Sequence, residues 1–196
     1  YFSMGWRHIH SNIAVHKPGD LKGVKIRTEP APTRMAIFSS MGANPIPMDF
    51  GEVFTSLQQG VIDAGENTLE NIQSQAFHTV QKYITLDGHI LDPMLIVISF
   101  NTWNSLSDEE KAQVQKAAEE ACKWDQENVG ANNARILEEF KKSTSPEIIE
   151  LTAEERAAFR EATQPVYDNY FKEHGKDLYD KVMTFQETYE AEAPRN

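Results

Sequence analysis

A guanidinium at the end of a short apolar run is the first feature of this sequence that could do chemistry. In the stretch DLKGVKIRTEPAP, residues 20–32, Arg27 closes an alternating pattern that Pro30 and Pro32 then stop. A guanidinium forms two parallel hydrogen bonds with a carboxylate, and open α/β sheets bind ligands beyond the carboxyl ends of their strands. Arg27 is therefore predicted to hold a carboxylate.

Two further polar positions are predicted to share that edge of the sheet. The strand-like run VIDAG, residues 61–65, is followed by Glu66 and Asn67. Asn67 is a candidate ligand contact, although either it or Thr68 could simply cap the helix that follows. Arg7, in GWRHIH, is a third candidate, with a surface ion pair as the alternative.

Enzyme signatures are mostly absent. The sequence has no GxSxG, GxGxxG, Walker or HExxH motif. His8 and His10 would lie on one side of a strand and could hold a metal, but no third ligand is evident nearby, so an ordinary strand is favoured. If the protein were an enzyme acting on a small acid, Glu66 would be the candidate base beside Arg27. We predict no enzyme activity, no cofactor and no metal.

Composition excludes several classes of partner. The chain has 196 residues and a net charge of -11, with 19 Lys and Arg against 30 Asp and Glu, which argues against nucleic acid or an anionic membrane surface. Its single cysteine excludes an internal disulfide. The longest purely apolar run, MLIVI at residues 94–98, is too short to span a membrane. Because the sequence opens without Met or a leader, we expect a mature or truncated product with its signal peptide removed.

The first half of the chain predicts βα units and a mainly parallel sheet. Strand-like runs alternate with three helical segments: TRMAIFSSMG at 33–42, GEVFTSLQQG at 51–60 and TLENIQSQAF at 68–77. Pro32 near the start of the first helix and Gly42 just past its end are typical helix boundaries.

The second half predicts strands and then long helices. YITLDGHILDPMLIVISF, residues 83–100, contains strand material around a turn at Asp87 and Gly88, and its apolar MLIVI run is typical of a strand covered on both faces. Ser107 and Glu110 form a capping box, which begins a helix that nothing stops before Ser143. About 35 residues give a helix of roughly 50 Å, longer than one compact domain.

The remaining C-terminal elements are a strand and two helices. EIIEL, residues 147–151, reads as a strand, and Thr152 with Glu155 forms a second capping box. Two amphipathic helices follow, and one face of the last carries four apolar residues: Leu178, Val182, Phe185 and Tyr189.

Four blocks of sequence together resemble one protein family over almost the whole chain. They are DLKGVKIRT, MGANPIPMDFGEVFTSLQQGVIDAGEN, GHILDPMLIVIS and TWNSLSDEEKAQVQKAAEEA. They are similar to the TRAP-type (tripartite ATP-independent periplasmic) solute-binding proteins, the DctP-like family. The resemblance implies an α/β, two-lobed periplasmic-binding-protein-like fold with a ligand cleft between the lobes and a very long helix crossing both.

The resemblance also implies roles for seven residues. In the family the Arg of the KIR block, here Arg27, holds the substrate carboxylate, and the Asn that matches Asn67 commonly supplies a further polar contact. Here Thr68 replaces the usual proline after it. The other implied substrate-binding positions are an aromatic residue, a second arginine and three residues that vary with substrate: Phe50, Arg7, Pro30, Glu66 and Met94.

Family members are longer than this chain, and the resemblance implies that most of their first lobe is absent from it. By analogy, residues 5–92 and 133–196 form lobe two, and residues 93–132 are the remaining part of lobe one with the first part of the long helix. The implied function is a periplasmic receptor that binds a small organic acid and delivers it to a membrane-embedded TRAP transporter. A ligand-sensing domain of a signalling receptor is the nearest alternative, and an enzyme acting on a small acid is a more distant one.

Overall fold

One six-stranded mixed sheet organises the chain. The computed structural model describes residues 1–192, with side chains described up to residue 188. The strands are β1 (Phe2–Ser11), β2 (Lys25–Thr28), β3 (Asn44–Pro47), β4 (Ala64–Thr68), β5 (Tyr83–Met94) and β6 (Glu147–Ile149), in the order β3-β2-β4-β1-β5-β6. β1 runs antiparallel to both its neighbours, and the other three pairings are parallel. The predicted α/β class is confirmed, with β1 as the exception to a parallel sheet.

Within residues 1–192, seven helices accompany the sheet. They are α1 (Pro32–Ser40), α2 (Val53–Gln58), α3 (Leu69–Ser74), α4 (Phe100–Ser105), α5 (Asp108–Lys142), α6 (Ala153–His174) and α7 (Asp177–Glu192). The capping boxes predicted at Ser107 and Thr152 are both present. The predicted apolar face of α7 includes Tyr189, whose side chain lies outside the described part, as do residues 193–196 of the range assigned to lobe two.

The sheet separates two cores. One face buries Ile26, Ala64 and Ile9 with Phe38 of α1 and Phe159 of α6. The opposite core is formed by residues of β5 with α2, α3 and the second half of α5: Val53, Leu57, Ile72, Ile84, Ile136 and Phe140. These two layers of helices fix the directions in which the polar side chains of β1, β2 and β4 can point.

The position of β4 differs from the prediction. The sequence places a strand at residues 61–65, ending before Glu66, whereas β4 runs from Ala64 to Thr68 and contains both Glu66 and Asn67. Its residues have low strand propensity, but β4 lies between β2 and β1, and pairing on both sides outweighs local preference. Glu66 and Asn67 therefore sit in the sheet, on opposite faces of one strand, rather than together in a loop.

The turn predicted at Asp87 and Gly88 is also wrong. β5 continues through both residues to Met94. Gly88 has φ 56°, and the β1–β5 register shifts between Arg7 and Ile9, so the irregularity is a β-bulge. Glycine permits the left-handed conformation that the bulge needs.

The apolar run at residues 94–98 is not the covered strand that was predicted. β5 ends at Met94, and the side chains that follow are exposed: Leu95 73%, Ile96 52%, Val97 82% and Ile98 43%. A strand becomes buried only when neighbouring elements cover it, and within residues 1–192 no element covers this one.

The long helix is confirmed as one continuous element. α5 has 35 residues and passes through Gly130 without a break. Its second half is buried at Ile136 and Phe140, whereas its first half is mostly exposed, with Trp124 at 67%. Among residues 1–192 no helix is both long and apolar enough to cross a membrane.

Candidate functional site

The strand register divides the predicted site residues between the two faces of the sheet. Ile26 pairs with Ala64, and Ile9 pairs with Glu66. Because paired residues share a face and neighbours along a strand alternate, Glu66 lies on one face with Arg7, while Arg27 and Asn67 project from the other. The sequence had predicted a single group, and the structure shows two.

Arg27 is nearly buried yet has no carboxylate partner. Its residue is 3% exposed, and its Nε and Nη2 both donate to the Met48 carbonyl, at 3.0 and 2.9 Å. Within residues 1–192 its Nη1 makes no hydrogen bond and its guanidinium no ion pair. Burial, with the nearby charges of Arg7 and Arg34, lowers the pKa of Arg27 from its usual value. The group stays cationic, since arginine remains protonated in proteins.

An aromatic column lies beside this guanidinium. Phe50, 40% exposed, lies 5.7 Å from the Arg27 Cζ, measured to the ring centroid. Phe77 meets Phe50 edge-on at 5.9 Å, and the His10 ring stacks on Phe77 at 5.3 Å. A cation over an aromatic face is attracted by the ring quadrupole, so Phe50 helps to orient Arg27. Phe50 stands where an apolar part of a ligand could pack.

Asn67 has a fixed orientation and one unused donor. Its Oδ1 accepts hydrogen bonds from the Thr68 backbone nitrogen at 2.9 Å and from Asn71 Nδ2 at 2.8 Å. Thr68 caps α3 by accepting from the Asn71 backbone nitrogen, which decides between the two capping candidates. The Asn67 Nδ2 donates to no group in the described residues, so it is available to an acceptor on the Arg27 face.

A cavity of about 260 Å³ opens beside Met48. Its lining residues follow β2 and β3: Pro30, Pro47, Met48, Asp49 and Glu52. Met48 is the residue whose carbonyl accepts the hydrogen bonds of Arg27, so one residue links the guanidinium to this cavity, although Arg27 is not among the lining residues. Met94, by contrast, pairs with Phe2 at the end of β5 and is 39% exposed. The predicted position Pro30 thus borders the cavity, and Met94 lies at the far end of another strand.

On the other face, Arg7 is fully engaged by carboxylates. Its Nε and Nη2 donate to Glu66, at 2.5 and 2.8 Å, and its Nη1 donates to Asp92 at 2.8 Å. Burial alone lowers its pKa, but the bonds and charges of Glu66 and Asp92 outweigh that effect and raise the pKa above its usual value. Arg7 is therefore neither the surface ion pair of the alternative prediction nor a free cation.

Arg34 extends this cluster in a way that the sequence did not suggest. Its Nε lies 3.2 Å from Glu29, its Nη2 donates to Asp92 at 3.3 Å, and its Nη1 lies 3.7 Å from Glu66. The same three carboxylates also reach Arg7. We call the set Arg7, Arg34, Glu29, Glu66, Asp92, Asp87 and His89 the ion-pair cluster. Asp92 precedes Pro93 and reads as a turn residue, so no sequence signal marks it.

Within the ion-pair cluster, the pKa values of His89 and Glu66 are shifted in opposite directions. His89 contacts Asp87 at 2.7 Å and Glu66 at 3.2 Å. Burial lowers the pKa of His89, but the two carboxylates outweigh it and raise the pKa to about 9. Burial raises the pKa of Glu66, and its bonds from His89 and Arg7 outweigh this and bring it to about 2. Both groups are charged at neutral pH, and Glu66 is a weak base.

The two histidines of β1, His8 and His10, each contact a group within the fold. The His8 Nδ1 accepts a hydrogen bond from the Gly88 backbone nitrogen, and the His10 Nδ1 contacts Gln81 at 3.3 Å. Burial lowers the pKa of both imidazoles to about 4. Over residues 1–192 no three His, Cys, Asp or Glu side chains are grouped to hold a metal ion.

Relatives of known name resemble this chain over nearly its full length. It is 36% identical over 190 residues to the 2,3-diketo-L-gulonate-binding periplasmic protein YiaO of Escherichia coli, covering 95% of this chain and 57% of that protein. It is 33% identical over 178 residues to the sialic acid-binding periplasmic protein SiaP of Vibrio cholerae, covering 91% and 54%. The chain thus spans little more than half the length of these relatives.

Solved structures give the same result for the fold. A TRAP periplasmic solute-binding protein of Shewanella oneidensis with bound succinate matches with a TM-score of 0.86 at 29% identity, covering 91% of this chain and 59% of that one. A Bordetella TRAP solute-binding protein, with density assigned as pantoate, matches with a TM-score of 0.85 at 37% identity, covering 92% and 59%.

A family model identifies the protein family of this chain. The model described as DctP, bacterial extracellular solute-binding protein, family 7, matches residues 1–174. The predicted family and the periplasmic location of its members are confirmed. The chain belongs to the DctP family of TRAP solute-binding proteins.

Proposed function

We propose that this chain is the larger part of a periplasmic receptor that binds a small organic acid through Arg27 and delivers it to a membrane-embedded TRAP transporter. The observation that carries the proposal is the Arg27 guanidinium, which is 3% exposed and lacks any carboxylate partner among the described residues. A buried cation of this kind is costly unless a counter-ion completes it. Relatives that bind succinate, sialic acid and a keto sugar acid support a carboxylate as that counter-ion.

In this proposal the ligand carboxylate meets Arg27 Nη1, and Asn67 Nδ2 donates to it or to a neighbouring oxygen. Phe50 packs on the ligand, and Pro30 borders it. Arg7 and Glu66 contribute indirectly by holding the sheet edge, because their charges are already paired with each other. Met94 is proposed to approach the ligand from the end of β5. Closure of two lobes around the acid would be the working step.

An enzyme is less well supported. The candidate base, Glu66, is paired with Arg7 and His89, and its pKa is lowered to about 2. A base with that pKa removes protons poorly near neutral pH. The named relatives are binding proteins of transport systems.

We further propose that a second lobe of the same protein covers the exposed apolar surface of residues 93–132. Leu95, Val97, Phe100 and Trp124 are between 67% and 82% exposed. Apolar surface that is contiguous and exposed usually marks a contact with another unit. The remaining length of the relatives could supply that unit, and α5 would then cross from one lobe to the other.

A thermal-shift screen of organic acids against the two-lobed protein tests the receptor function. An acid that binds only the folded state raises the melting temperature. We expect a subset of carboxylates to do so and their amides to have no effect. A screen in which amides and acids act alike would contradict the role of Arg27.

The proposed second lobe is tested with residues 1–196 alone. With the other lobe's contacts to the ligand missing and residues 95–98 uncovered, this chain is expected to bind acids no more tightly than about the millimolar range and to self-associate. Adding the other lobe as a separate chain should restore solubility and tight binding. Micromolar binding by a monomeric 196-residue chain, measured by calorimetry with light scattering, would refute the proposal.

A further inference from the structure

We infer that the acid bound at Arg27 carries a single carboxylate and that its other end donates hydrogen bonds, as a hydroxyl or ammonium group does. This inference rests on the receptor function proposed above and narrows its ligand class. It follows from the charges that remain unpaired on the Arg27 face of the sheet.

The Arg27 face of the sheet has one arginine available to a ligand. Three arginines lie near the sheet edge, and two of them are consumed by the ion-pair cluster, where Arg7 and Arg34 share Glu29, Glu66 and Asp92. Of these three arginines, Arg27 alone has no carboxylate partner among residues 1–192. Lys25 also projects from the Arg27 face, but it lies two residues back along β2, away from the rim. One carboxylate is therefore what this half of the site can neutralise.

The cavity lined by Met48 is acidic. Two of its lining residues are acidic, Asp49 and Glu52, and both are exposed. Neither carboxylate forms a hydrogen bond or ion pair with a described side chain, and Asp49 does not cap the helical turn that follows it. The cavity lined by Met48 therefore presents acceptors and negative charge.

These two features act on opposite ends of a ligand. Because Met48 both accepts the hydrogen bonds of Arg27 and lines the cavity, we place the remainder of a small acid bound at Arg27 in that cavity. A hydroxyl or ammonium group there would donate to Asp49 or Glu52. A second carboxylate would meet two like charges, which disfavours binding when lobe closure removes water. The arrangement thus selects against dicarboxylates.

Calorimetry on the two-lobed protein tests this with matched pairs of acids. The probes are ω-hydroxy and ω-amino acids of four to six carbons and the dicarboxylic acids of the same chain length, including succinate. We expect the best hydroxy or amino acid to bind at least about ten-fold more tightly than its dicarboxylate partner. In the Asp49→Asn/Glu52→Gln variant that ratio should fall to within about three-fold, mainly because the dicarboxylate binds more tightly.

The matched control is Glu154→Gln/Glu161→Gln on α6, which changes net charge equally away from the cavity and should leave the ratio unaltered. Tighter binding of the dicarboxylate, or a ratio that the Asp49/Glu52 variant leaves unchanged, overturns the inference while the receptor function stands. Failure of all the acids, together with a thermal-shift screen that finds no carboxylate, contradicts the receptor function and this inference with it.

Discussion

Arg7 and Arg27 are equally buried, at 2% and 3% exposed, but their surroundings differ completely. Arg7 lies in the ion-pair cluster, with Glu66 and Asp92 bound to all three of its guanidinium nitrogens. Arg27 has one carbonyl acceptor, an aromatic neighbour and an unused Nη1. The difference teaches that burial of an arginine does not identify a ligand site. A buried arginine indicates a ligand site when it lacks a carboxylate partner within the fold.

The comparison also assigns different energetic roles to the two regions. Removing one member of a buried ion pair leaves the other charge uncompensated, whereas removing a cation that has only a carbonyl acceptor leaves little behind. We therefore expect the cluster to stabilise the fold and Arg27 to bind the ligand. The four predictions below test this division, beginning with the largest expected change in stability.

Arg7→Met should destabilise the protein by about 3–5 kcal/mol, because Glu66, 1% exposed, and Asp92 lose their main counter-charge. Urea denaturation at pH 7 measures the change. Arg160→Met on α6 is the control, since that side chain is exposed and forms no ion pair within the described residues; it should change stability by less than about 0.5 kcal/mol. Equal effects of the two substitutions would remove the basis of the comparison.

The ion-pair cluster should make stability fall in alkaline solution. The pKa of His89 is raised from 6.5 to about 9, so its contribution is complete below about pH 6.5 and is lost as the pH rises through 9. The loss is on the order of 3 kcal/mol, at 1.36 kcal/mol per pKa unit. Glu66 acts at the other end: its contribution is present above about pH 4.5 and is lost as the pH falls towards 2. Denaturation of the wild type and His89→Gln from pH 6 to 10 should show the alkaline slope in the wild type alone.

Arg34→Ala should have a smaller effect, about 1–2 kcal/mol, because this side chain is 20% exposed and its carboxylate partners keep Arg7. The Arg7/Arg34 double substitution should be non-additive, since both arginines share the same three carboxylates. Strict additivity in a double-mutant cycle would mean that the ion-pair cluster does not act as one unit.

How far the sequence predicts this molecule depends on where the determinants of each element lie. The long helix, its cap at Ser107 and the strand that carries Arg27 follow from local signals, and the structure reproduces them, with β2 ending at Thr28. β4 was misplaced because its polar residues form a strand only through pairing with β1 and β2. Residues 95–98 were taken for a covered strand because a local apolar run carries no information about what covers it.

For the site, local sequence identified Arg27, Asn67 and Phe50, which lie on or beside one face of the sheet. It could not separate them from Arg7 and Glu66, because that separation depends on the register that β1, β2 and β4 set together. Asp92, Arg34 and His89 were missed altogether, since their shared partners come from segments far apart in the chain.

The most direct test of the account is calorimetry of acid binding to the two-lobed protein with Arg27→Ala and Arg27→Lys. We expect alanine to weaken binding by about 2–5 kcal/mol, roughly 30- to several-thousand-fold, and lysine to restore it only in part, because an ammonium lacks the guanidinium fork. The free energy of unfolding should change by no more than about 1 kcal/mol, the smallest of the four stability effects. Wild-type affinity in either variant would contradict the assignment of Arg27 as the ligand-binding arginine.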